Sequence, residues 1–417
     1  MAVAALVRGQ EDGPQARAAR LIPLLGSPSY AERRLATEEL ERLGPAARAQ
    51  LEQQANSSDP ELRRRARDLV ARLRAADLWE PGPVTISCRD ESAEKVLAKL
   101  AQQTGNRLAA GDHYASFQDK PVSLSVTSAP FWSVLDELCR QSGNHVRPHY
   151  DHRKPGFVAV AGPMGQFPLA YAGPIRGRVI SARRVFTEEL DHQTGNADVT
   201  HNFQVTMQFT WEDRWRLVAH RSHVELVEAI TDTGARVAAT GSGCGDWEAT
   251  TESTRQISMP LSLQPPPIVA KQLDMLKVRW GLVAVGDMGT FEATDLSARK
   301  PLTQDDVRLT IEEFEKVGQG RYRMTLLISR DLALPEPRSV AMHENELELY
   351  DAQDQPLRKF VNQWRMTEAG LRIQATFTQE TGSAEPKRLR FSYPRIRSQR
   401  DLEITFRDVP LPTSRPE

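Results

Sequence analysis

"VTISCRDESAEKVLAKLAQQTGN", residues 84–106, and "VSLSVTSAPFWSVLDELCRQSGN", residues 122–144, superpose at a constant offset of 38 positions. Identities fall at Val84/Val122, Ser87/Ser125, Val96/Val134, Leu97/Leu135, Leu100/Leu138, Gln103/Gln141, Gly105/Gly143 and Asn106/Asn144. In each copy the apolar residues first alternate, as Val84, Ile86, Cys88 and as Val122, Leu124, Val126, which is the period of a half-buried strand. The period then becomes helical, and each helix runs into a glycine at the position where a left-handed residue ends it without steric cost. The stretch is therefore a duplicated strand-plus-helix unit. A further strand after each helix gives the order β-α-β-β-α-β, closed by a hairpin through "VAVAG" (158–162).

This tandem strand, "VLxxL" helix and "GN" arrangement resembles the short N-terminal domain shared by secretins and TonB-dependent receptors, over about 80 residues, roughly 83–162. The resemblance implies a non-catalytic docking module of the cell envelope. Beyond residue 162 the chain departs from both families: neither a secretin pore domain nor an outer-membrane barrel is recognisable there.

Upstream, "SPSYAERRLATEELERLG" (27–44) and "SSDPELRRRARDLVARLRAAD" (57–77) carry helix start signals, with Asp59 as the predicted N-cap and Pro60 in the first turn. They align at an offset of 30, Arg33, Arg34, Ala36, Leu40 and Leu43 against Arg63, Arg64, Ala66, Val70 and Leu73. Paired helices with one apolar stripe each resemble one and a half to two HEAT-like repeats. The basic clusters at 33–34 and 63–65 read as a solvated helix face, with contact to an acidic partner as the alternative.

Downstream come about 250 residues of alternating segments, among them "FQVTMQFTW", "VRLTIEEF", "RYRMTLLIS", "LRIQATFT", "RLRFSYP" and "LEITFRDV". They predict two consecutive antiparallel sandwiches with a boundary near "DLSARKPLTQDD" (295–306). The expected fold is thus multidomain: a terminus or leader remnant (1–13), a short α-helical HEAT-like segment (14–78), an α+β domain (79–163), and an all-β region of two sandwiches (164–299 and 300–417, the latter with a coil tail).

Composition supports a globular chain, with 40% hydrophobic and 26% charged residues. A net charge of −1 without strong asymmetry argues against a nucleic-acid surface. No apolar run is long enough to span a bilayer as a helix. "MAVAALVRGQ" is too short for a complete secretory leader, so a periplasmic or envelope location is expected from the resemblance, with the cytoplasm as the alternative. The three cysteines show no C-x-x-C spacing.

"HVRPHYDHR" (145–153) holds three of the nine histidines. On a strand His145, Arg147 and His149 share one face and Val146, Pro148 and Tyr150 the other. Histidines at i and i+4 on a strand stand about 13 Å apart, too far to share an ion, and Arg147 between them opposes a cation. The segment reads as a polar strand face and the candidate edge for docking a partner strand. Trp211 and Trp215 in "TWEDRWRL" (210–217) are candidates for a sugar- or peptide-stacking surface, with sandwich-core or edge packing as the expected reading; in the polymer-binding class the contact would run through Trp211, Trp215 or Trp247. "HRSH" (220–223), "HENEL" (343–347) and "GSGCGDWE" (241–248) lack the spacing of metal or nucleophile motifs, and no metal or cofactor is expected. Three classes remain: a non-catalytic adaptor or scaffold with a protein partner, a polymer-binding protein, and an enzyme of unrecognised type. The first is expected, and oligomeric state is not readable.

Overall fold

The computed structural model describes residues 13–149, 156–162, 165–190, 193, 197–241, 245–250, 254–297, 299–304, 307–330, 346–379 and 384–412. The chain divides into two compact units, Met1–Glu80 and Pro81–Glu417. It combines few helices with many strands in several sheets, a mixed α+β chain whose C-terminal region is β-rich. Residues 1–12, in the expected terminus or leader remnant, lie outside the described residues.

The first unit comprises α1 (Pro14–Leu21), a 3-10 turn (Ile22–Gly26), α2 (Tyr30–Leu43), α3 (Pro45–Gln54) and α4 (Pro60–Asp77). The Asp59 carboxylate caps α4 by accepting from the Glu61 and Leu62 amides. Ala36 and Leu40 meet Ala66 and Val70 in one core, as the offset of 30 predicts. The same offset governs the arginines. Arg33 donates to the Ser27 carbonyl at 2.7 Å and Arg63 to the Ser57 carbonyl at 2.8 Å, each hooking back onto the loop before its own helix. Neither Arg33 nor Arg63 is the freely solvated cation expected from the basic clusters, because each carbonyl lies within reach one helical turn below.

In the second unit, β1 (Pro83–Ser92), α5 (Ala93–Thr104), β2 (Leu108–Ala110), β3 (Pro121–Pro130), α6 (Phe131–Ser142), β4 (Asn144–Pro148) and β5 (Phe157–Ala161) realise the β-α-β-β-α-β order with its closing hairpin. β1 and β3 pair antiparallel with Ser87 opposite Ser125, so the register reads the same when the copies are exchanged. The local devices repeat too. Gln103 brackets the Thr85 backbone through both its amide atoms, and Gln141 does the same to Ser123. Gly105 and Gly143 end their helices at φ 70° and 76°. β2, β5 and β4 form a separate three-stranded sheet with β4 at its edge. Val96, Leu97, Leu100, Val134, Leu135 and Leu138 are all buried in the shared core.

The remainder builds three larger sheets. One runs β12 (Gln256–Leu263), β8 (Ala197–Trp211), β7 (Ile175–Leu190), β6 (Leu169–Ala172). The second runs β11 (Trp247–Ala249), β9 (Arg216–Arg221), β13 (Gln272–Ala293), β20 (Pro386–Pro410), β17 (Glu346–Asp351), with β10 (Glu225–Thr231) also on β13. The third runs β14 (Leu302–Gln304), β15 (Val307–Gly318), β16 (Arg321–Arg330), β19 (Gly370–Thr378), β18 (Arg358–Thr367). The strands of these sheets are not consecutive in sequence. β13 and β20 pair along their length from Gln272–Pro410 to Ala293–Leu389. Their one end enters a core where Trp280 stacks on Phe209 at 4.7 Å with Phe406 beside it. Their other end supplies Phe291, Phe391 and Tyr393 to the core of the third sheet. The boundary expected at 299/300 is therefore not a division of the β region: residues 397–410 return to the layers that begin at β6. "RLRFSYP" and "LEITFRDV" belong to one strand rather than two.

Candidate functional site

Of the residues singled out in the sequence, four lie on or next to β4 along the chain and two tryptophans do not reach a surface. Trp211 is 0% exposed and Trp215 is 4% exposed, which removes both from any stacking surface and returns them to the core. Arg147 is paired with Asp112 at 2.8 Å, an ion pair within the repeat module. The His149 amide donates to the Gly156 carbonyl in the β4–β5 hairpin. His145 is half-buried, and Tyr150 lies outside the described residues, as does His152. The Gly162 amide donates to the Gly143 carbonyl, so positions 143 and 149 both direct their backbone toward β5. By the alternation of antiparallel ladders Asn144, Val146 and Pro148 direct theirs to the open side. That side is not the exposed edge the sequence suggested: Asn144 is fully buried and Val146 nearly so. β4 is instead the wall of a cleft.

The cleft measures about 270 Å³ and lies between β4 and the start of the β-rich region. Val146, Phe167 and Leu169 make its apolar walls. Phe167 comes from "AGPMGQFPLAYAGP", a stretch that reads as a mere connector; a side chain at Gly165 would collide with the Phe167 ring. The polar lining is Asp136, His145, Arg176 and Arg178. Asp136, on α6, accepts from Arg176 Nη1 at 2.5 Å and from the Tyr171 hydroxyl at 2.9 Å, and Asp136 and Arg176 are each 4% exposed. Trp132, one turn earlier on α6, donates its indole N–H to the Pro174 carbonyl at 2.9 Å and lies under the Arg176 guanidinium at 4.6 Å. Burial and the Asp136 carboxylate push the Tyr171 hydroxyl well above its ordinary pKa, so it stays a neutral donor. The same two causes push the Cys139 thiol up to about 12, which makes it an inert core residue.

A second seam lies where "TWEDRWRL" turns. Glu212, fully buried, accepts from the Gly82 amide at 2.8 Å, from Asn106 Nδ2 at 3.3 Å and from Arg214 Nε at 2.7 Å. Asn106 closes the loop by accepting from the Arg214 amide at 3.1 Å. Asp213 accepts from Arg107 Nη2 at 2.9 Å and Arg255 Nε at 2.7 Å. Burial pulls the Asp213 pKa up, but the hydrogen bonds from Arg107 and Arg255 outweigh it and hold the carboxyl below its usual range. The tryptophans of this motif attract a functional reading, whereas the acidic pair between them does the joining.

Asp136, Arg176, Tyr171 and Arg178 carry no recognisable motif. The signal that could find Asp136 is the repeat itself: at offset 38 Trp132 and Asp136 replace Glu94 and Ala98, a change on the face that should be solvated. Among the described residues no three or more His, Cys, Asp or Glu cluster as ligands for an ion. Among those residues, too, no helix is long and apolar enough to cross a membrane. No protein-family model matches this chain, and no curated protein matches it.

Proposed function

We propose that this chain is a non-catalytic adaptor or scaffold of the bacterial cell envelope. In this reading residues 83–162 serve as a docking module for a protein partner, as the similarity to the secretin and TonB-receptor domain implies, and the helical first unit is a HEAT-like segment. The observation that supports it best is the pair of buried polar seams joining the module to the β-rich region, one through Trp132, Asp136 and Arg176, the other through Asn106, Glu212 and Asp213. Hydrogen-bonded groups with so little exposure hold a module in a single orientation, because each displaced partner would leave a buried charge unpaired. A fixed orientation suits a module that presents a binding surface. Burial of Trp211 and Trp215 weighs against a polymer-binding surface there.

The test is chemical cross-linking in cells expressing the gene with its upstream region, followed by fractionation. The adaptor reading expects one reproducible protein cross-link in the envelope fraction. Chain found only in the cytoplasm, or pelleting with polysaccharide without any protein cross-link, would count decisively against it.

A further inference from the structure

Among the described residues, the cleft beside β4 is lined by more cations than anions. Two guanidiniums, Arg176 and Arg178, line it with a single carboxylate, Asp136. Arg176 gives Nη1 to that carboxylate, while its Nε is buried with no hydrogen-bond partner. Arg178 gives its Nε to the neutral Gln208 at 2.5 Å and is stacked on the Phe167 ring at 5.4 Å, which holds the guanidinium in place. A further buried polar atom without a partner, His145 Nδ1, belongs to the same lining. Buried polar groups left unpaired cost free energy, so the Arg176 guanidinium gains by turning an N–H toward an acceptor that enters the cleft.

We propose that this cleft binds a carboxylate attached to an apolar group. One net positive charge matches a monoanion, and the guanidinium fork is shaped for the two oxygens of a carboxylate. Val146, Phe167 and Leu169 offer the apolar contact that a hydrated inorganic anion would not use. Burial, then the nearby Arg176 charge, lowers the Arg178 pKa from its usual value, which agrees with an uncompensated cation in the site. The carboxylate can come from a small free acid or from the C-terminus of a peptide, which present the same chemistry. The inference stands on the cleft and not on the adaptor reading, since it is tested on the purified chain without any partner.

The experiment is calorimetric titration of the full chain with matched probes: benzoate against benzamide, and N-acetyl-alanyl-leucine against its C-terminal amide, with inorganic phosphate as competitor. We expect each acid to bind and its neutral counterpart to bind at least about tenfold more weakly. Arg178→Gln should weaken the acids by about tenfold or more while leaving the thermal transition in place. The pair Asp136→Asn with Arg176→Gln removes both charges together, so the fold is spared an unpaired ion and Arg178 keeps the cleft's net positive charge; the preference for acid over amide should persist but shrink with the loss of one guanidinium. Arg372→Gln, on β19, is the control and should change nothing. Tighter binding of the peptide acid than of benzoate assigns the source to a chain terminus, and the reverse to a free small acid. Equal binding of acids and amides, no binding by any acid, full retention in Arg178→Gln, or displacement by phosphate at lower concentration than the acids each overturns the proposal.

Discussion

Helices α5 and α6 carry the same inner stripe, Val96, Leu97 and Leu100 against Val134, Leu135 and Leu138, yet their outer faces have opposite fates. Glu94 and Ala98 of the first are exposed, whereas Trp132 and Asp136 at the equivalent positions are 1% and 4% exposed. The copies thus agree wherever a residue serves the fold of the repeat, as Gln103 and Gln141 do, and diverge where the second helix meets β6 and β7. Asn106 and Asn144 are the exception, identical residues with different partners. The first bonds across to Glu212 and Arg214, and the second bonds the Gln118 backbone within its own module. On the helices, the duplication keeps what each copy needs for itself, and the divergent positions 132 and 136 mark the contact with β6 and β7.

This comparison can be broken most sharply at the divergent pair. Asp136→Ala leaves Arg176 buried and uncompensated and should lower stability by about 3–5 kcal/mol, and Trp132→Ala should cost a similar about 3–5 kcal/mol. Ala98→Asp and Glu94→Ala, at the matching exposed positions, should stay within about 0.5 kcal/mol. Urea unfolding of the four variants decides it, and equal losses in both copies would sink the idea that, of the two helices, α6 alone meets the β-rich region through these positions.

The seam at Asp213 adds a pH signature. Because its folded pKa is depressed, the stabilisation it gives is present above the unfolded carboxylate value, about 3.9, and is lost as pH falls through the folded value. Asp213→Asn should therefore be less stable than the wild type near neutrality, and the two curves should approach each other as pH falls through the unfolded carboxylate value, about 3.9, and below it. A constant difference across that window, measured by thermal unfolding, would show that Asp213 acts other than through its charge.

Where the copies agree, the effects should agree. Gln103→Ala and Gln141→Ala each remove one bracket of two hydrogen bonds at a partly solvated strand and should each cost about 1–2 kcal/mol. Unequal losses in urea unfolding would mean that one bracket is redundant.

The smallest contrast is at the two helix ends. Gly105→Ala and Gly143→Ala both put a side chain at positive φ for about 1 kcal/mol. Only at Gly143 does the new Cβ also meet Gln118 Oε1 at 3.0 Å and Lys120 Nζ at 3.2 Å, so Gly143→Ala should be the more destabilised of the two in the same unfolding assay.

The part of the fold legible in the sequence rests on period and repetition. The repeat module could be read because strand and helix periods alternate and then recur, and each recurrence corroborates the other. The glycine ends and the Asp59 cap needed only local chemistry. β13 is hidden because its central residues, Leu282 to Val285, are buried on both faces, which erases the alternation that identifies a strand. β20 reads as two strands because Arg395, Arg397 and Arg400 interrupt its apolar pattern where it passes from one core to the next. The cleft is illegible for a different reason. Its cations come from β7 and its carboxylate from α6, 40 positions away in sequence, and no local spacing links Asp136 to Arg176.

The shared pair β13 and β20 also dictates an order of events. Gln272 finds its partner in Pro410 and Trp280 in Leu402, so the layers that open with β6 wait for almost the last described residues before their sheet can close. During synthesis the repeat module, whose strands pair entirely within 83–162, has its partners at hand early, whereas β13 emerges with one flank bare and must stay so until the ribosome has delivered everything through β19. A nascent chain stalled in that interval presents a long strand with one flank unpaired. The β-rich region is thus the part of this protein most in need of a chaperone, and the reason lies in its wiring rather than in its composition.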